Sequence, residues 1–157
     1  MLQLISSSEL IEDNWVRLDD DQVINDHRNV IVSLDRLQQE WDALSSLPLK
    51  LGVVLEPTNA VGDVLPFLNH LQIIELIFEV FADGRAFSQA RLLRDRHAYG
   101  GDIRAVGDVL CDQLGFMKRN GFNQFQLAEG EDTELAFRIF GDISLTYQAE
   151  LGQSVAR

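Results

Sequence analysis

Short apolar runs alternate with segments of helical periodicity from about residue 30 to residue 143. Each β-branched run predicts a buried strand, and the polar and apolar positions after it are spaced for a helix. This alternation is typical of a parallel sheet with helical crossovers. The sequence therefore predicts an α/β fold with a mostly parallel open sheet, and half of a (βα)8-type barrel is the alternative. The predicted strands are Val30–Val32, Leu51–Leu55, Ile73–Phe81, Ile103–Val106 and Phe122–Leu127.

The helices between these strands are predicted from apolar spacing and from their end residues. Ser33, Asp63 and Asp108 stand where a side-chain oxygen can accept a hydrogen bond from a free amide of the first turn. Gly121 stands where a helix ends in the left-handed conformation. Two further helices are predicted, over residues 86–97 and from residue 132 onward.

Two regions flank this alternation. Residues 1–28 are predicted to form an N-terminal extension with short strands at Asn14–Leu18 and Gln22–Ile24, joined by a solvated turn of three aspartates. Residues 29–143 are the predicted α/β domain, and residues 144–157 form a C-terminal tail without a clear pattern. A length of 157 residues suits a single domain.

The charge of the chain limits the classes of partner. A net charge of −12 repels phosphates, so we expect no nucleic acid and no anionic membrane as general partners. No run of eighteen apolar residues occurs, and the N-terminus has no basic region followed by an apolar core. We therefore expect a cytoplasmic protein.

The cysteine and histidine content limits the possible cofactors. Cys111 is the only cysteine, which excludes an intramolecular disulfide and an iron–sulfur cluster held by this chain alone. Asp108 and Asp112 flank it and disfavour a thiolate, so an inert cysteine is expected. There is no glycine-rich phosphate loop, and no HxxxH or HExxH spacing. The sequence thus predicts no metal site and no bound cofactor.

Five arginines between residues 85 and 104 are the main candidate chemistry. Only Asp95 and Asp102 lie among them, so this stretch carries a charge of +3 against −15 for all other residues. A guanidinium matches the oxygens of sulfate, sulfite, phosphate or carboxylate, and loops that follow parallel strands meet at one sheet edge. We predict an anion- or partner-binding rim there, and pairing of the arginines with acids elsewhere is the alternative. Its members are Asp83, Arg85, Arg94, Arg104 and Asp108.

Three further side chains belong to the candidate site. Ser88 and Arg91 lie on the face of the predicted 86–97 helix that points away from the sheet. Gln113 falls among apolar helix positions, so its burial requires a hydrogen-bond partner on the backbone, in a pocket or in an interface. No histidine or lysine stands near Ser88 in the sequence to activate it as a nucleophile.

The stretch from Phe81 to Leu127 resembles a known bacterial family. It carries the pattern DGR…S-A-LR…G-(D/E)-(I/L)-R-A-GDVL-DQ, and a looser likeness extends from Gly52 to Gln148. That family has no known function, but its members are commonly labelled as oxidoreductases of sulfite reduction and tend to be encoded beside sulfite reductase. The matching positions here are Asp83, Gly84, Arg85, Ser88, Ala90, Leu93, Arg94, Gly101, Arg104, Gly107, Asp108, Asp112 and Gln113.

The resemblance implies a role in assimilatory sulfite reduction but assigns no catalytic residue. Six-electron reduction of sulfite requires iron–sulfur and sirohaem centres, which a chain with one cysteine cannot hold alone. We therefore expect an accessory protein that docks sulfite reductase or its electron donor. One alternative is an enzyme acting on a small sulfur or phosphorus oxyanion. The other is a ligand-free scaffold or dimerisation module, which would form a homodimer.

Overall fold

The computed structural model describes residues 2–24, 29–79 and 84–143. Its strands are β1 (Leu4–Ile5), β2 (Val16–Arg17), β3 (Asn29–Ser33), β4 (Lys50–Leu55), β5 (Leu71–Phe78), β6 (Asp102–Gly107) and β7 (Gln124–Gln126). Its α-helices are α1 (Leu34–Gln39), α2 (Trp41–Ser46), α3 (Arg85–Arg91), α4 (Leu114–Arg119) and α5 (residues 133–143). Short 3₁₀ segments cover Val61–Asp63, Leu65–His70 and Cys111–Gln113, and a π-helical turn, Leu92–Arg96, continues α3.

All the strands belong to one sheet in the order β1-β7-β6-β5-β4-β3-β2. The strands from β2 to β7 are parallel, and only β1 is antiparallel to its neighbour. This confirms the predicted α/β class with a mostly parallel sheet. The order from β2 to β7 follows the chain without a reversal, so right-handed crossovers place the connecting helices on one face. The strand order is thus that of the half-barrel alternative.

The length of the N-terminal segment requires the sheet to curl. Six inter-strand spacings separate β1 from β2, an arc of about 29 Å. The Ile11 amide donates to the Leu4 carbonyl oxygen of β1 at 2.9 Å, and β2 begins at Val16. The five Cα–Cα steps from Ile11 to Val16 span at most about 18 Å. Residues 11–15 therefore cross one face of a strongly curved sheet, which we call the concave face. The described helices lie on the other face.

The main hydrophobic core lies between the sheet and its helices. Alternate strand residues point to opposite faces, and the helix-facing positions include Val53, Ile74 and Ala105, which are fully buried. They pack with Leu93 next to α3 and Met117 of α4 in one cluster. This layer fixes the positions of the loops at the strand ends.

The concave face has a second set of buried side chains. Ile31, Gly52 and Ile73 lie side by side in register, and a Cβ on Gly52 would overlap the side chain of Ile73. Glycine is therefore required for close packing in this row. At the next position on this face of the sheet, Glu75 and Arg104 pair in register, and both are buried.

Most of the predicted strands are confirmed, with shifted ends. The strand predicted to reach Phe81 is β5, which ends at Phe78; residues 80–83 lie outside the described residues, as does the predicted tail 144–157. Ser33 caps α1 by accepting a hydrogen bond from the Arg36 amide at 3.1 Å. Gly121 has a φ of 107° at the end of α4, as predicted.

Three local predictions are wrong. Gln22–Ile24 forms no strand, because the Gln22 amide and side chain both bond Asp19 in a turn, and β2 instead pairs with β3 in parallel. Asp63 caps no helix, since i→i+3 bonds place it already inside a 3₁₀ turn. Asp108 caps no helix either: its amide donates to the Phe78 carbonyl at 2.8 Å, which holds it to the strands, and α4 begins six residues later.

No helix among the described residues is long and apolar enough to span a bilayer.

Candidate functional site

The structure separates the arginines of the predicted rim. Arg104 lies in the middle of β6 on the concave face, 1% exposed, and is paired with Glu75. Arg85 is exposed at the start of α3, in the helical layer on the other side of the sheet. The two guanidinium groups therefore do not meet in one site. A residue in the middle of a strand cannot contribute to the rim, because its side chain points out of one face of the sheet and not toward the strand ends.

Arg94 is bound by the protein's own backbone. Its guanidinium donates to the carbonyl oxygens of Gly121, Tyr99 and Gly101 at 2.9, 2.7 and 2.7 Å. Burial lowers the pKa of Arg94 below its usual value. The side chain joins the end of α3 to the turn after α4. Its guanidinium donors are therefore used within the fold.

Of the three residues predicted around these arginines, two are described, and they lie in different elements. Asp83 is outside the described residues. Asp108 is half-buried directly after β6. Gln113 is exposed at the end of a 3₁₀ turn, where its amide bonds the Leu110 carbonyl at 3.0 Å. Its predicted burial is wrong, because the 3₁₀ turn delays the helix and changes which positions face the sheet.

A groove beside α3 does bring several predicted and unpredicted residues together. It has a volume of about 670 Å³ and lies between α3 with its π-helical turn and residues 59–62 after β4. Arg85, Ser88, Arg96 and His97 line its helical side. Because its described lining contains two arginines and no carboxylate, we call it the basic groove. Arg91 lies outside this lining, exposed and 3.8 Å from Asp95.

Gln89 lines the same groove from a buried position that sequence reasoning missed. It is 5% exposed, and its Nε2 donates to the carbonyl oxygens of Glu56 and Asn59, both at 2.9 Å. Its Oε1 is buried and has no hydrogen-bond partner among the described residues. The signal was present in the sequence, because Gln89 falls next to Ala90 and one turn from Ala86 and Leu93 on the buried side of the helix.

A second polar arrangement lies on the concave face, and we call it the charge cluster: Asp13, Arg17, Glu75, Arg104 and Gln124. Arg104 donates to Glu75 Oε2 and Asp13 Oδ1, each at 3.2 Å, and to Gln124 Oε1 at 2.9 Å. Arg17 donates to both Glu75 oxygens and to Asp13 Oδ2. The two cations and two anions balance, so the buried charges are compensated.

The charge cluster changes the acidity of its members. Burial alone would raise the pKa of Asp13, but hydrogen bonds from Arg17 and the Trp15 amide and the charge of Arg104 hold it below its ordinary value. Burial would lower the pKa of Arg17, but Glu75 and Asp13 raise it instead. Both groups are therefore held in their charged forms.

The stability supplied by Asp13 should depend on pH. A carboxyl with a depressed pKa stabilises the fold above its unfolded pKa of about 3.9, and this contribution is lost as pH falls through the lower folded value. Asp13→Asn should thus be less stable than wild type at pH 7, and the difference should narrow below about pH 4. Urea unfolding at several pH values measures this difference in stability. Glu12→Gln, one residue away, is the control. A difference independent of pH would contradict this prediction.

Neither Cys111 nor a metal cluster adds to the candidate chemistry. Cys111 is buried, and burial, with Glu131 next in effect, raises the pKa of its thiol. This agrees with the expectation of an unreactive cysteine. Over the described ranges, no group of three or more histidine, cysteine or carboxylate side chains is placed to hold a metal ion.

Residues 52–156 match the family described as a bacterial protein of unknown function, DUF934. That span is about two thirds of the chain. The protein belongs to the DUF934 family. The matched span holds the groove, Glu75 and Arg104, whereas Asp13 and Arg17 precede it. No curated protein matches the chain at a significant level.

Proposed function

We propose that this DUF934 protein is an accessory component of assimilatory sulfite reduction that docks sulfite reductase or its electron donor. The observation that supports docking is the basic groove, which places Arg85 and Arg96 together on a chain with a net charge of −12. The likeness of the DGR…GDVL segment to proteins labelled for sulfite reduction supports the choice of pathway. An acidic segment of the partner is the proposed occupant of the groove.

Charge explains how such a groove would select its partner. A guanidinium binds carboxylates with two parallel hydrogen bonds, while the net negative charge of the chain repels other acidic regions of a partner. Complementarity of this kind fixes orientation and speeds encounter more than it raises affinity. Binding should weaken with salt, because the screening length falls from about 10 Å at 0.1 M to about 3 Å at 1 M.

The test is a double substitution within the groove. Arg85→Ala/Arg96→Ala should abolish co-purification of sulfite reductase and reduce growth on sulfate as the sole sulfur source. Arg94 is left intact because its carbonyl contacts stabilise the fold. Arg91→Ala/Arg119→Ala is the matched control, since it removes two exposed charges outside the groove and should bind as wild type does.

Three outcomes separate the possibilities. Normal co-purification and growth for the groove variant, at wild-type protein level and melting temperature, would overturn the docking proposal. Equal loss in both double variants would assign the effect to net charge. Loss of binding in the groove variant alone supports docking through the groove.

A second candidate function is an enzyme that acts on a small sulfur or phosphorus oxyanion. The groove volume of about 670 Å³ favours it, because small-molecule sites commonly measure about 300–1,000 Å³. Sulfite and phosphate should then raise the melting temperature of the wild type, and Arg85→Ala/Arg96→Ala should lose that response. A response to neither anion argues against this candidate while leaving the docking test unaffected.

A further inference from the structure

The Asp13 carboxylate is held in the way a bound anion is held. Arg17 Nη1 donates to its Oδ2 at 2.9 Å, and Arg104 Nη1 donates to its Oδ1 at 3.2 Å. The Trp15 amide donates to Oδ1 at 3.1 Å. Two guanidinium groups and one backbone N–H thus surround a single carboxylate, which is the donor set that proteins use for free oxyanions.

When Asp13 is left out, the side chains around its position carry one uncompensated positive charge. Without Asp13, Arg17 and Arg104 contribute two positive charges and Glu75 one negative charge, which leaves +1. Because Arg104 and Glu75 are buried, water solvates this excess positive charge poorly. Arg17 keeps its contacts with both oxygens of Glu75 and would remain in place if Asp13 left.

The position of Asp13 allows it to leave without opening the core. Its side chain is 29% exposed and that of Arg17 is 38% exposed, while Glu75 and Arg104 form the closed inner end. Asp13 lies in residues 11–15, which form no helix or strand. Displacing its carboxylate therefore requires movement of a short surface segment only.

The geometry points to an anion-binding site on the concave face, formed by Arg17 and Arg104, in which Asp13 is an exchangeable internal occupant. Its ligand is a small free monoanion with two coplanar oxygens, such as a carboxylate. A dianion is disfavoured because its second charge would face Glu75. This site is separate from the basic groove, which lies on the helical side of the sheet.

The wild-type chain should bind such an anion weakly, because Asp13 competes for the same donors. The apparent affinity is the intrinsic affinity reduced by the fraction of molecules in which Asp13 has left. Asp13→Ala removes the competitor and leaves space for formate or acetate. Its affinity for formate should be at least about tenfold higher than that of the wild type.

The experiment measures melting temperature against sodium formate, with sodium chloride keeping the ionic strength constant. Asp13→Ala should show a saturable rise, and Glu12→Ala, which removes the same charge one residue away from an exposed site, should behave as wild type does. Arg17→Lys in the Asp13→Ala background should weaken formate binding, because a point charge replaces the two-pronged donor. Sulfate should be the weaker ligand at equal ionic strength.

The proposal is overturned if Asp13→Ala, shown to be folded by circular dichroism, gives no saturable response to formate beyond that of chloride. It is also overturned if its affinity equals that of the wild type, or if binding is unchanged by Arg17→Lys. Arg85→Ala/Arg96→Ala provides an independent check: added to Asp13→Ala, it should leave formate binding unchanged, since those residues line the groove on the other face.

Discussion

Replacing Glu75 with leucine is expected to lower the free energy of unfolding by about 3–5 kcal/mol, because Arg104 would stay buried without its main counter-ion. Glu75 is fully buried, and its oxygens accept hydrogen bonds from both Arg17 and Arg104. The remaining carboxylate, Asp13, lies 3.2 Å from Arg104 but is partly exposed to water. It therefore compensates two cations poorly. Urea denaturation at pH 7 measures the loss.

Two further variants show whether charge is the cause. Glu79→Leu changes an exposed glutamate four residues along the chain and should alter stability by no more than about 0.5 kcal/mol. Glu75→Leu/Arg104→Leu removes both buried charges and should recover a large part of the loss. A double variant less stable than either single variant would contradict this account.

Replacing Gly107 with alanine should cost about 3 kcal/mol. Gly107 has a φ of 91°, a conformation that costs a side-chain-bearing residue about 1–2 kcal/mol. A Cβ at this position would also overlap the carbonyl oxygen of Phe78, its partner in β5. That clash adds about 1–3 kcal/mol, since neither backbone can move without breaking the strand pairing.

Gly100→Ala is the matched control for this prediction. Nothing lies within 4 Å of a Cβ at Gly100, and its φ is not in the left-handed region. Its unfolding free energy should stay within about 0.5 kcal/mol of wild type. Equal stability of the two glycine variants would show that the β5–β6 contact tolerates a side chain.

The strands and their parallel arrangement could be predicted from the sequence because buried parallel strands are continuous apolar runs. Choosing between an open and a curled sheet required the pairing order. That order, which runs from β2 to β7 without a reversal, is not visible in the periodicity of any single strand.

The candidate site was harder to predict because neighbouring arginines in the sequence point in different directions. Arg104 stands between Ile103 and Ala105, which face the helical core, so its own side chain faces the other side of the sheet. Glu75 occupies the equivalent position in the preceding strand. Two opposite charges inside adjacent apolar strands were an available signal for a buried pair.

Helix phase explains the errors around Gln113. A single helix from Asp108 would bury Gln113 and Phe116, but a 3₁₀ turn comes first and α4 begins at Leu114. Phe116 is consequently 52% exposed and packs only partly, with its ring 4.7 Å from that of Phe87. Apolar spacing alone does not show where a 3₁₀ turn gives way to an α-helix.

The pairing of the first strand with the last has a consequence for synthesis of the chain. Leu4 is synthesised before its partner Gln126, which follows about 120 residues later. The N-terminal segment must therefore wait while β3 to β6 assemble, and β6 keeps an unpaired edge until β7 arrives. A chain that stalls before residue 124 exposes the unpaired edge of β6 and an unpaired N-terminal segment at the same time. Such intermediates pair readily with other chains, so slow translation just before residue 124 should promote aggregation.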